Sequence, residues 1–427
     1  MKVLVVGGGG REHAIAWRIA QDPAVRQVYC VPGNAGAMAD VSCIPGNIMD
    51  AREMLSLAAS LGVDLTVIGP EAPLVEGIAD TFRSAGHAVV GPSAAGARLE
   101  GSKAFAKDFM ADNGIPTARS ALLEDLADVE RTIGRFGYPV VLKADGLAAG
   151  KGVVIAEDEK AAGLTAREML TGQMVGGAGR RIVVEECLRG VEVSFIVLSD
   201  GASFCALPVT RDHKRAFNGD LGPNTGGMGA YSDASILSEE MRGRIVEKVV
   251  EPTLAGMHRR GTPFEGFLYC GLMLTDDGPK VLEFNVRLGD PETQPLLYRL
   301  EGGFAECLAG AARGALDSSL VHASDLSTAC VVMAAGGYPG AYPKGKPIRG
   351  IREAEQTGAK VFHAGTAFSG GLPVTAGGRV LGVTARGEGL HRALDNAYAA
   401  TRLVHFDGVH YRTDIGRPGY QDDRAGN

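Results

Sequence analysis

Two side chains that carry oxygen ligands, Glu283 and Asn285, are two positions apart in the segment VLEFNVRLGDPETQ. Side chains of a β-strand alternate between its faces, so these two would share one face while Phe284 points to the other. A polar strand end exposed to solvent is the alternative. The apolar run FLYCGLML at 267–274 favours a central strand, where polar groups need partners. Because Mg²⁺ prefers a few protein oxygens plus water and phosphate, the spacing predicts a magnesium site.

Two cations could support phosphate chemistry beside such a site. Arg287 is next in register after Asn285 and could neutralise charge on a transferring phosphoryl group. Lys143 lies in an apolar strand, where its ammonium group must meet an anion or reach solvent from an edge strand. A glycine-rich loop follows it, but three residues separate Gly146 from Gly150, so the loop is not a Walker A motif. Its small residues could still fold over phosphates.

A second glycine-rich segment, GGGG at 7–10, lies between a predicted strand and a predicted helix. The dinucleotide-binding fingerprint is incomplete there, because Glu12 or His13 replaces its third glycine. NAD binding is therefore disfavoured. The N-terminus of the helix and the neighbouring Arg11 favour a bound phosphate, and a tight turn without a ligand is the alternative.

The elements that must position these groups follow from hydrophobic periodicity. Apolar strands at 2–6, 28–31, 65–68 and 88–90 alternate with helices, which predicts a parallel sheet whose turns gather at the carboxyl ends of the strands. A helix begins near Ser102, whose side chain can cap it. The strands predicted beyond it are 139–144 and 153–156, which form a hairpin lid, then 182–186, then 191–198, 204–208, 268–274 and 280–284 in a largely antiparallel second sheet. Beyond residue 326 the predicted elements are strands at 328–334, 360–364 and 379–385 and a helix at 389–403.

The composition excludes several classes of protein. A net charge of −7 and a pI near 5.8 disfavour nucleic-acid binding, which needs clustered Lys and Arg. The seven cysteines are odd in number and form no C-x-x-C pair, which indicates buried free thiols in a reducing compartment. No apolar stretch approaches the roughly 18–20 residues that span a membrane, so we expect a cytoplasmic protein without a membrane partner.

An ordered set of motifs covers nearly the whole chain and resembles the ATP-grasp superfamily. Within it the set is most similar to the glycinamide ribonucleotide synthetase family. The motifs are GGGGREHA at 7–14, PGNAG at 32–36, GPEAPLV at 69–75, LEGSKAFAKDF at 99–109, KADGLAAGKGV at 143–153, DHKRAFNGDLGPNTGGMGAY at 212–231, EFNVRLGDPETQ at 283–294 and FHAGT at 362–366.

The resemblance implies an α/β and α+β multidomain fold. An N-terminal α/β domain with a parallel sheet would cover residues 1–101. A two-lobed ATP-grasp core would cover 102–326, with its small lid lobe at about 120–188, and a small C-terminal mixed β domain would cover 327–427.

The resemblance also implies which residues would bind ATP and a metal. The residues expected to contact ATP are Lys103, Lys143, Gly146, Gly150, Lys151, Gly152, Glu185, Glu186, Leu188 and Glu192. Glu283 and Asn285 would hold Mg²⁺ or Mn²⁺. The strand before them reads GLML at 271–274, so no third side-chain ligand is expected there.

The implied reaction joins glycine to 5-phosphoribosylamine with ATP, through a glycyl phosphate. Arg287, Lys143 and Asp212 would be catalytic. The sugar phosphate would bind at Gly9, Gly10, Arg11, Asn34 and Glu71, and the ammonium group of glycine at Asp212, Asp290 and Glu292. The partners expected are these small molecules, and the chain itself would be a monomer or a weak homodimer.

Three other functions are compatible with parts of the sequence. They are another ATP-grasp activity of the biotin carboxylase or carboxyaminoimidazole type, a nicotinamide-dependent dehydrogenase, and non-catalytic nucleotide binding. The segments DHKR and GPNTGGMGAY disfavour the first, the incomplete fingerprint the second, and the full set of lysines and metal ligands the third.

Overall fold

The structure is a computed structural model of the 427-residue chain, and it describes residues 1–147, 152–174 and 180–417. Its first hundred residues alternate strands and helices. In order these are β1 (Lys2–Gly7), α1 (Gly10–Ala20), β2 (Gln27–Pro32), α2 (Ala37–Asp40), β3 (Ser42–Cys43), α3 (Ala51–Leu61), β4 (Leu65–Ile68), α4 (Glu71–Val75), α5 (Ile78–Ser84), β5 (Val89–Val90) and α6 (Ala94–Gly101).

The five strands pair in parallel in the order β3-β2-β1-β4-β5, which confirms the predicted parallel sheet. The central strand β1 is almost completely buried, as expected for a strand covered on both faces. The loops after β1 and β4 therefore leave the sheet side by side.

The next elements form a small lobe around a four-stranded antiparallel sheet. They are α7 (Lys103–Asp112), β6 (Ser120–Leu123), α8 (Val129–Ile133), β7 (Val140–Ala144), β8 (Val153–Ala156), α9 (Glu159–Leu170) and β9 (Ile182–Glu186), and the strand order is β6-β9-β7-β8. As predicted, the hydroxyl of Ser102 caps α7 by accepting the N–H of Phe105 at 3.2 Å. Strands β7 and β8 pair as the predicted hairpin, and this lobe has a hydrophobic core of its own.

The central part of the chain contains the second antiparallel sheet. Its elements are β10 (Val191–Asp200), β11 (Phe204–Ala206), β12 (Arg211–Asp212), β13 (Arg215–Phe217), β14 (Leu221–Asn224), β15 (Gly229–Ser232), α10 (Glu239–Ile245), α11 (Glu251–Arg259), β16 (Glu265–Thr275), β17 (Gly278–Asn285), α12 (Thr293–Arg299), β18 (Leu300–Gly302), α13 (Phe304–Ala311) and β19 (Val321–Ala323). The sheet order is β11-β10-β16-β17, so the strand that carries Glu283 lies at an edge and not in the centre. The predicted central position is wrong, although Phe284 and Asn285 are buried.

The C-terminal part is built on an antiparallel sheet. Its elements are β20 (Ser327–Ala334), α14 (Ile351–Glu355), β21 (Lys360–His363), β22 (Thr366–Ser369), β23 (Leu372–Thr375), β24 (Arg379–Gly387) and α15 (Gly389–Thr401). The sheet order is β12-β15-β20-β24-β21, so two short strands from the central part join it. The predicted division at residue 326 stays a prediction.

The cysteines and the lengths of the helices relate to the expectations drawn from composition. Five of the seven cysteines are buried, whereas Cys43 and Cys187 are half-buried, and all seven are free thiols. None of the helices in the described ranges is long and apolar enough to cross a membrane.

Candidate functional site

A cavity of about 340 Å³ lies where the N-terminal loops, the small lobe and the end of β17 meet. Most of the residues that the sequence singled out contribute to its wall. The predicted site residues that line it are Arg11, Glu71, Lys103, Lys143, Gly146, Gly152, Glu185, Asp212, Glu283, Asn285, Arg287, Asp290 and Glu292. Three separate parts of the chain thus converge on one space.

The small lobe supplies a buried pair of lysines held by one carboxylate. Glu185 on β9 lies 2.9 Å from the ammonium of Lys143 on β7 and 3.0 Å from that of Lys107 on α7. Lys143 also donates to the carbonyl of Leu282 at 2.8 Å, so a third N–H can serve a phosphate. Burial lowers the pKa of Lys107 to about 8 in spite of Glu185. Lys103 donates to the carbonyl of Gly146 at 3.0 Å, which holds the start of the glycine-rich loop.

The end of β17 supplies the predicted metal ligands. Glu283 lines the cavity, and although burial raises its pKa, Lys214, Lys143 and other cations hold that pKa below its usual value. The side-chain oxygen of Asn285 accepts from Arg287 at 3.1 Å, which leaves a second lone pair. Within the described ranges no group of three or more His, Cys, Asp or Glu side chains could hold a metal ion. A metal here would rest on two side-chain oxygens and would need phosphate and water for the rest of its shell.

Asp212 lies among other charged groups in the cavity wall. Its carboxylate is 3.5 Å from the ammonium of Lys214, which also pairs with Glu192. Burial raises the pKa of Asp212 to about 8, and the nearby Glu292 and Glu192 add to that rise. Such a carboxyl group can take up or release a proton near neutral pH.

Glu292 and Asp290 also line the cavity. Glu292 accepts the hydroxyl of the buried Tyr269 at 2.8 Å. Burial opposes ionisation of Asp290, but Arg379 and Arg11 lower its pKa overall. The guanidinium of Arg379, which lies on β24, approaches Asp290 to 3.3 Å, so the C-terminal part also contributes to the site.

The N-terminal loops place two of their predicted residues in the cavity. Arg11 and Glu71 line it, and Glu71 lies 3.9 Å from Arg11 and 3.4 Å from Arg287. Asn34 is used differently, because its amide donates to the carbonyls of Gly8 and His363 at 3.1 and 2.7 Å. A direct role of Asn34, Gly9 or Gly10 in substrate binding stays a prediction.

Several other predicted contacts lie elsewhere or are not described. Glu186 forms an ion pair of 2.7 Å with the exposed Arg119, and Glu192 pairs with Lys214. Neither of them, nor Leu188, belongs to the cavity wall in the part of the chain that the structure describes. Gly150 and Lys151 lie outside the described residues.

Five further residues with ionisable side chains lie in the wall and were not predicted as site residues: Glu100, Lys107, Lys214, Tyr269 and Arg379. Glu100 precedes Lys103 in the motif at 99–109, and Lys214 follows Asp212, so proximity in sequence could have indicated both. Tyr269 and Arg379 lie in apolar strands far from the glycine-rich loops. Only the tertiary fold brings these two to the site.

The arrangement suits the transfer of a phosphoryl group to an oxyanion. Lysines, arginines and two oxygens of the kind that bind a metal line the cavity together with carboxylates that can hold an amine. One cavity thus offers groups for a phosphate, a divalent cation and an ammonium group.

Comparison with known proteins identifies the family. Three domain profiles of phosphoribosylglycinamide synthetase match, the N domain at residues 1–100, the ATP-grasp (A) domain at 101–293 and the C domain at 328–418. The chain is 48% identical over 418 residues to the phosphoribosylamine–glycine ligase of Pseudomonas aeruginosa, which covers 97% of each chain. It is 47% identical over 423 residues to that of Escherichia coli, covering 97% of this chain and 98% of the relative.

Solved structures agree with this assignment. The crystal structure of phosphoribosylamine–glycine ligase from Thermotoga maritima matches with a TM-score of 0.85 and 37% identity, over 97% of this chain and all of the other. The biotin carboxylase domain of the Hydrogenobacter thermophilus 2-oxoglutarate carboxylase matches with a TM-score of 0.72 at 18% identity, over 96% and 91%, which shows a shared fold alone. The chain belongs to the phosphoribosylglycinamide synthetase family.

Proposed function

We propose that this chain catalyses the ATP-dependent ligation of glycine to 5-phosphoribosylamine, a step of purine biosynthesis that yields glycinamide ribonucleotide, ADP and phosphate. The observation that carries the proposal is the single cavity where cations, the paired oxygens of Glu283 and Asn285, and buried carboxylates meet. The end-to-end similarity to ligases of that name supports the choice of substrates.

The first step forms glycyl phosphate. A carboxylate oxygen of glycine attacks the γ-phosphorus of ATP, the new O–P bond forms, and ADP leaves with the electrons of the broken bond. Lys143 and Lys103 bind the phosphates, and Arg287 neutralises charge on the group in transfer. Because Lys143 is already held by Glu185 and the Leu282 carbonyl, its ammonium needs little reorganisation to receive a phosphate oxygen.

A divalent cation, Mg²⁺ or Mn²⁺, fits the wall formed by Glu283 and Asn285. The carboxylate of Glu283 is kept ionised by surrounding cations, and Asn285 offers an unshared lone pair. When bound, the cation supplies charge neutralisation at the phosphate oxygens. Glu283 and Asn285 would hold this positive charge beside the cationic groups of Lys143 and Arg287.

The second step forms the amide bond. The amine nitrogen of phosphoribosylamine attacks the carbonyl carbon of glycyl phosphate, phosphate leaves, and the nitrogen loses a proton. Asp212, Asp290 and Glu292 hold the ammonium group of glycine, and a carboxyl group such as Asp212 can accept a proton near neutral pH. Glycyl phosphate reacts with water, so closure by the small lobe protects it.

An omission assay tests the proposal. Purified protein is mixed with ATP, Mg²⁺ and glycine, and phosphoribosylamine is formed in place from ribose 5-phosphate and ammonia. ADP release that requires all of these, with glycinamide ribonucleotide detected by mass spectrometry, supports the proposal. ADP release that continues without glycine, or without the amine, contradicts it. Replacing Mg²⁺ by Mn²⁺ compares the two cations, and light scattering compares a monomer with a weak homodimer.

A further inference from the structure

A buried carboxylate lies beneath the N-terminal loops without reaching the cavity itself. Glu12, on the first turn of α1, is 2% exposed. One of its oxygens accepts the backbone N–H of Gly9 at 2.7 Å, and the other accepts the Nε–H of Arg11 at 2.5 Å. One side chain therefore fixes both a loop and the adjacent cation.

Three glycines make room for this carboxylate. A Cβ atom at Gly7 would lie 2.3 Å from Cγ of Glu12, and one at Gly69 would lie 2.3 Å from its Oε1. A Cβ at Gly9 would lie 2.8 Å from its Oε2. Gly7 and Gly69 end or follow the adjacent parallel strands β1 and β4, so Glu12 joins the two loops that leave the sheet there. Any side chain at these positions would displace it.

The bond to Arg11 orients a guanidinium that lines the cavity. Arg11 also donates from Nη1 to the carbonyl of Leu288 at 3.2 Å, so two of its nitrogens are held. Among the residues that the structure describes, no hydrogen bond reaches its Nη2. That edge is available to an oxyanion of a bound substrate.

We propose that Glu12 is a positioning residue for the amine substrate: it holds Arg11 and the loops after β1 and β4 in the conformation that receives the phosphoribosyl group. The inference rests on the proposed function and adds the residue that prepares this subsite. A guanidinium already held on one edge loses less conformational freedom when its other edge binds an anion. Glu12 should therefore strengthen the binding of phosphoribosylamine.

Glu12→Gln tests this role, because it keeps the size of the side chain and removes its charge. The amide nitrogen must face either the Gly9 N–H or the Arg11 Nε–H, so one of the two bonds is lost. We expect the KM for phosphoribosylamine to rise about tenfold, with kcat and the KM values for ATP and glycine within about twofold of wild type. Glu53→Gln is the matched control, since Glu53 also accepts a loop N–H, from Asn47 at 3.0 Å, in a part of the N-terminal region outside the cavity.

A second variant perturbs Glu12 without changing its chemistry. Gly69→Ala places a methyl group 2.3 Å from the Glu12 carboxylate and should raise the same KM selectively. Its control is Gly163→Ala, because a Cβ at Gly163 meets nothing within 4 Å.

The outcomes separate this inference from the proposed function. A wild-type protein without ligase activity contradicts the proposed function. An active wild type whose Glu12 and Gly69 variants raise all three KM values alike, lower only kcat, or lose only thermal stability contradicts the positioning role. Failure of both variants to fold also overturns it, because Glu12 would then be structural.

Discussion

Glu100 accepts a hydrogen bond of 2.7 Å from the guanidinium of Arg287, although 187 positions separate the two residues. The other Glu100 oxygen accepts the backbone N–H of Val286 at 2.8 Å. Burial raises the pKa of Glu100 even beside Arg287, so the surroundings oppose its charge. One carboxylate from α6 thus fixes both the end of β17 and the cation next to the predicted metal ligands.

Replacing Glu100 by Ala should therefore affect stability and turnover together. The half-buried Arg287 would lose its shortest ion pair, and we expect the free energy of unfolding to fall by about 3 kcal/mol. Urea unfolding measures this loss of stability. Turnover should fall as well, because Arg287 would leave its place beside the predicted metal ligands, and steady-state kinetics measures that fall in kcat. Glu100→Gln keeps the size of the side chain and one acceptor oxygen, so it loses one of the two bonds and should cost less. Equal effects of the two variants would show that the negative charge of Glu100, and not the size or the remaining acceptor of its side chain, holds Arg287.

Glu283→Gln should abolish most turnover while the fold stays intact. Loss of one anionic ligand removes several kcal/mol of charge stabilisation, so kcat should fall about 100-fold or more. Steady-state kinetics and circular dichroism measure the two properties. Glu265→Gln is the control, since Glu265 begins the neighbouring strand β16 and pairs with Arg83 away from the cavity. Near-normal kcat in Glu283→Gln would remove Glu283 from the metal site.

Lys143→Ala should weaken nucleotide binding and leave the small lobe folded. A charge-assisted hydrogen bond to phosphate contributes about 1.5–3 kcal/mol, so the Kd for ATP should rise about tenfold or more. Glu185 keeps Lys107 as a partner at 3.0 Å, which limits the cost to stability. Titration calorimetry gives the Kd, and Lys280→Ala, a lysine on β17 outside the cavity wall, is the control. An unchanged Kd contradicts the role given to Lys143.

The sequence predicts the elements well wherever one local rule dominates. The cap at Ser102 and the strand Leu65–Ile68 appear as predicted, because capping and apolar runs are local properties. Glu283 and Asn285 both reach the cavity for the same reason, since strand alternation depends only on spacing. The edge position of β17 was missed because strand order depends on pairings between distant segments.

Local rules for caps, apolar runs and strand alternation do not predict the ion pairs of the site. Arg287 was predicted to face phosphate, but its partners Glu100 and Glu71 come from two other segments. Arg379 enters the site from β24, in a strand that reads as ordinary core. Asn34 belongs to a predicted motif, yet its amide holds the Gly8 and His363 carbonyls. The types of residue were predictable, and their partners required the three-dimensional structure.

Two buried histidines make stability depend on pH. The Nδ1 atom of His13 accepts the backbone N–H of His363 at 2.9 Å, and its Nε2 bonds to Asp40 at 2.8 Å, an arrangement that suits a neutral His13 ring. Burial lowers the pKa of both histidines, that of His363 to about 3, from an ordinary value of 6.5. The unfolded chain therefore binds protons first as the pH falls below that ordinary value.

The stability that the neutral His363 contributes should be retained above about pH 6.5 and lost as the pH falls towards about 3, by up to about 1.4 kcal/mol per pH unit, and His13 acts in the same direction. Carboxylates add to acid unfolding, so the informative quantity is a difference between variants. The urea midpoint of His363→Gln should fall less steeply between about pH 7 and about pH 5 than that of wild type. His322→Gln is the control, because His322 is exposed and pairs only loosely with Glu301, at 3.5 Å. Parallel curves for wild type and His363→Gln would show that protonation of the His363 ring does not govern the acid response.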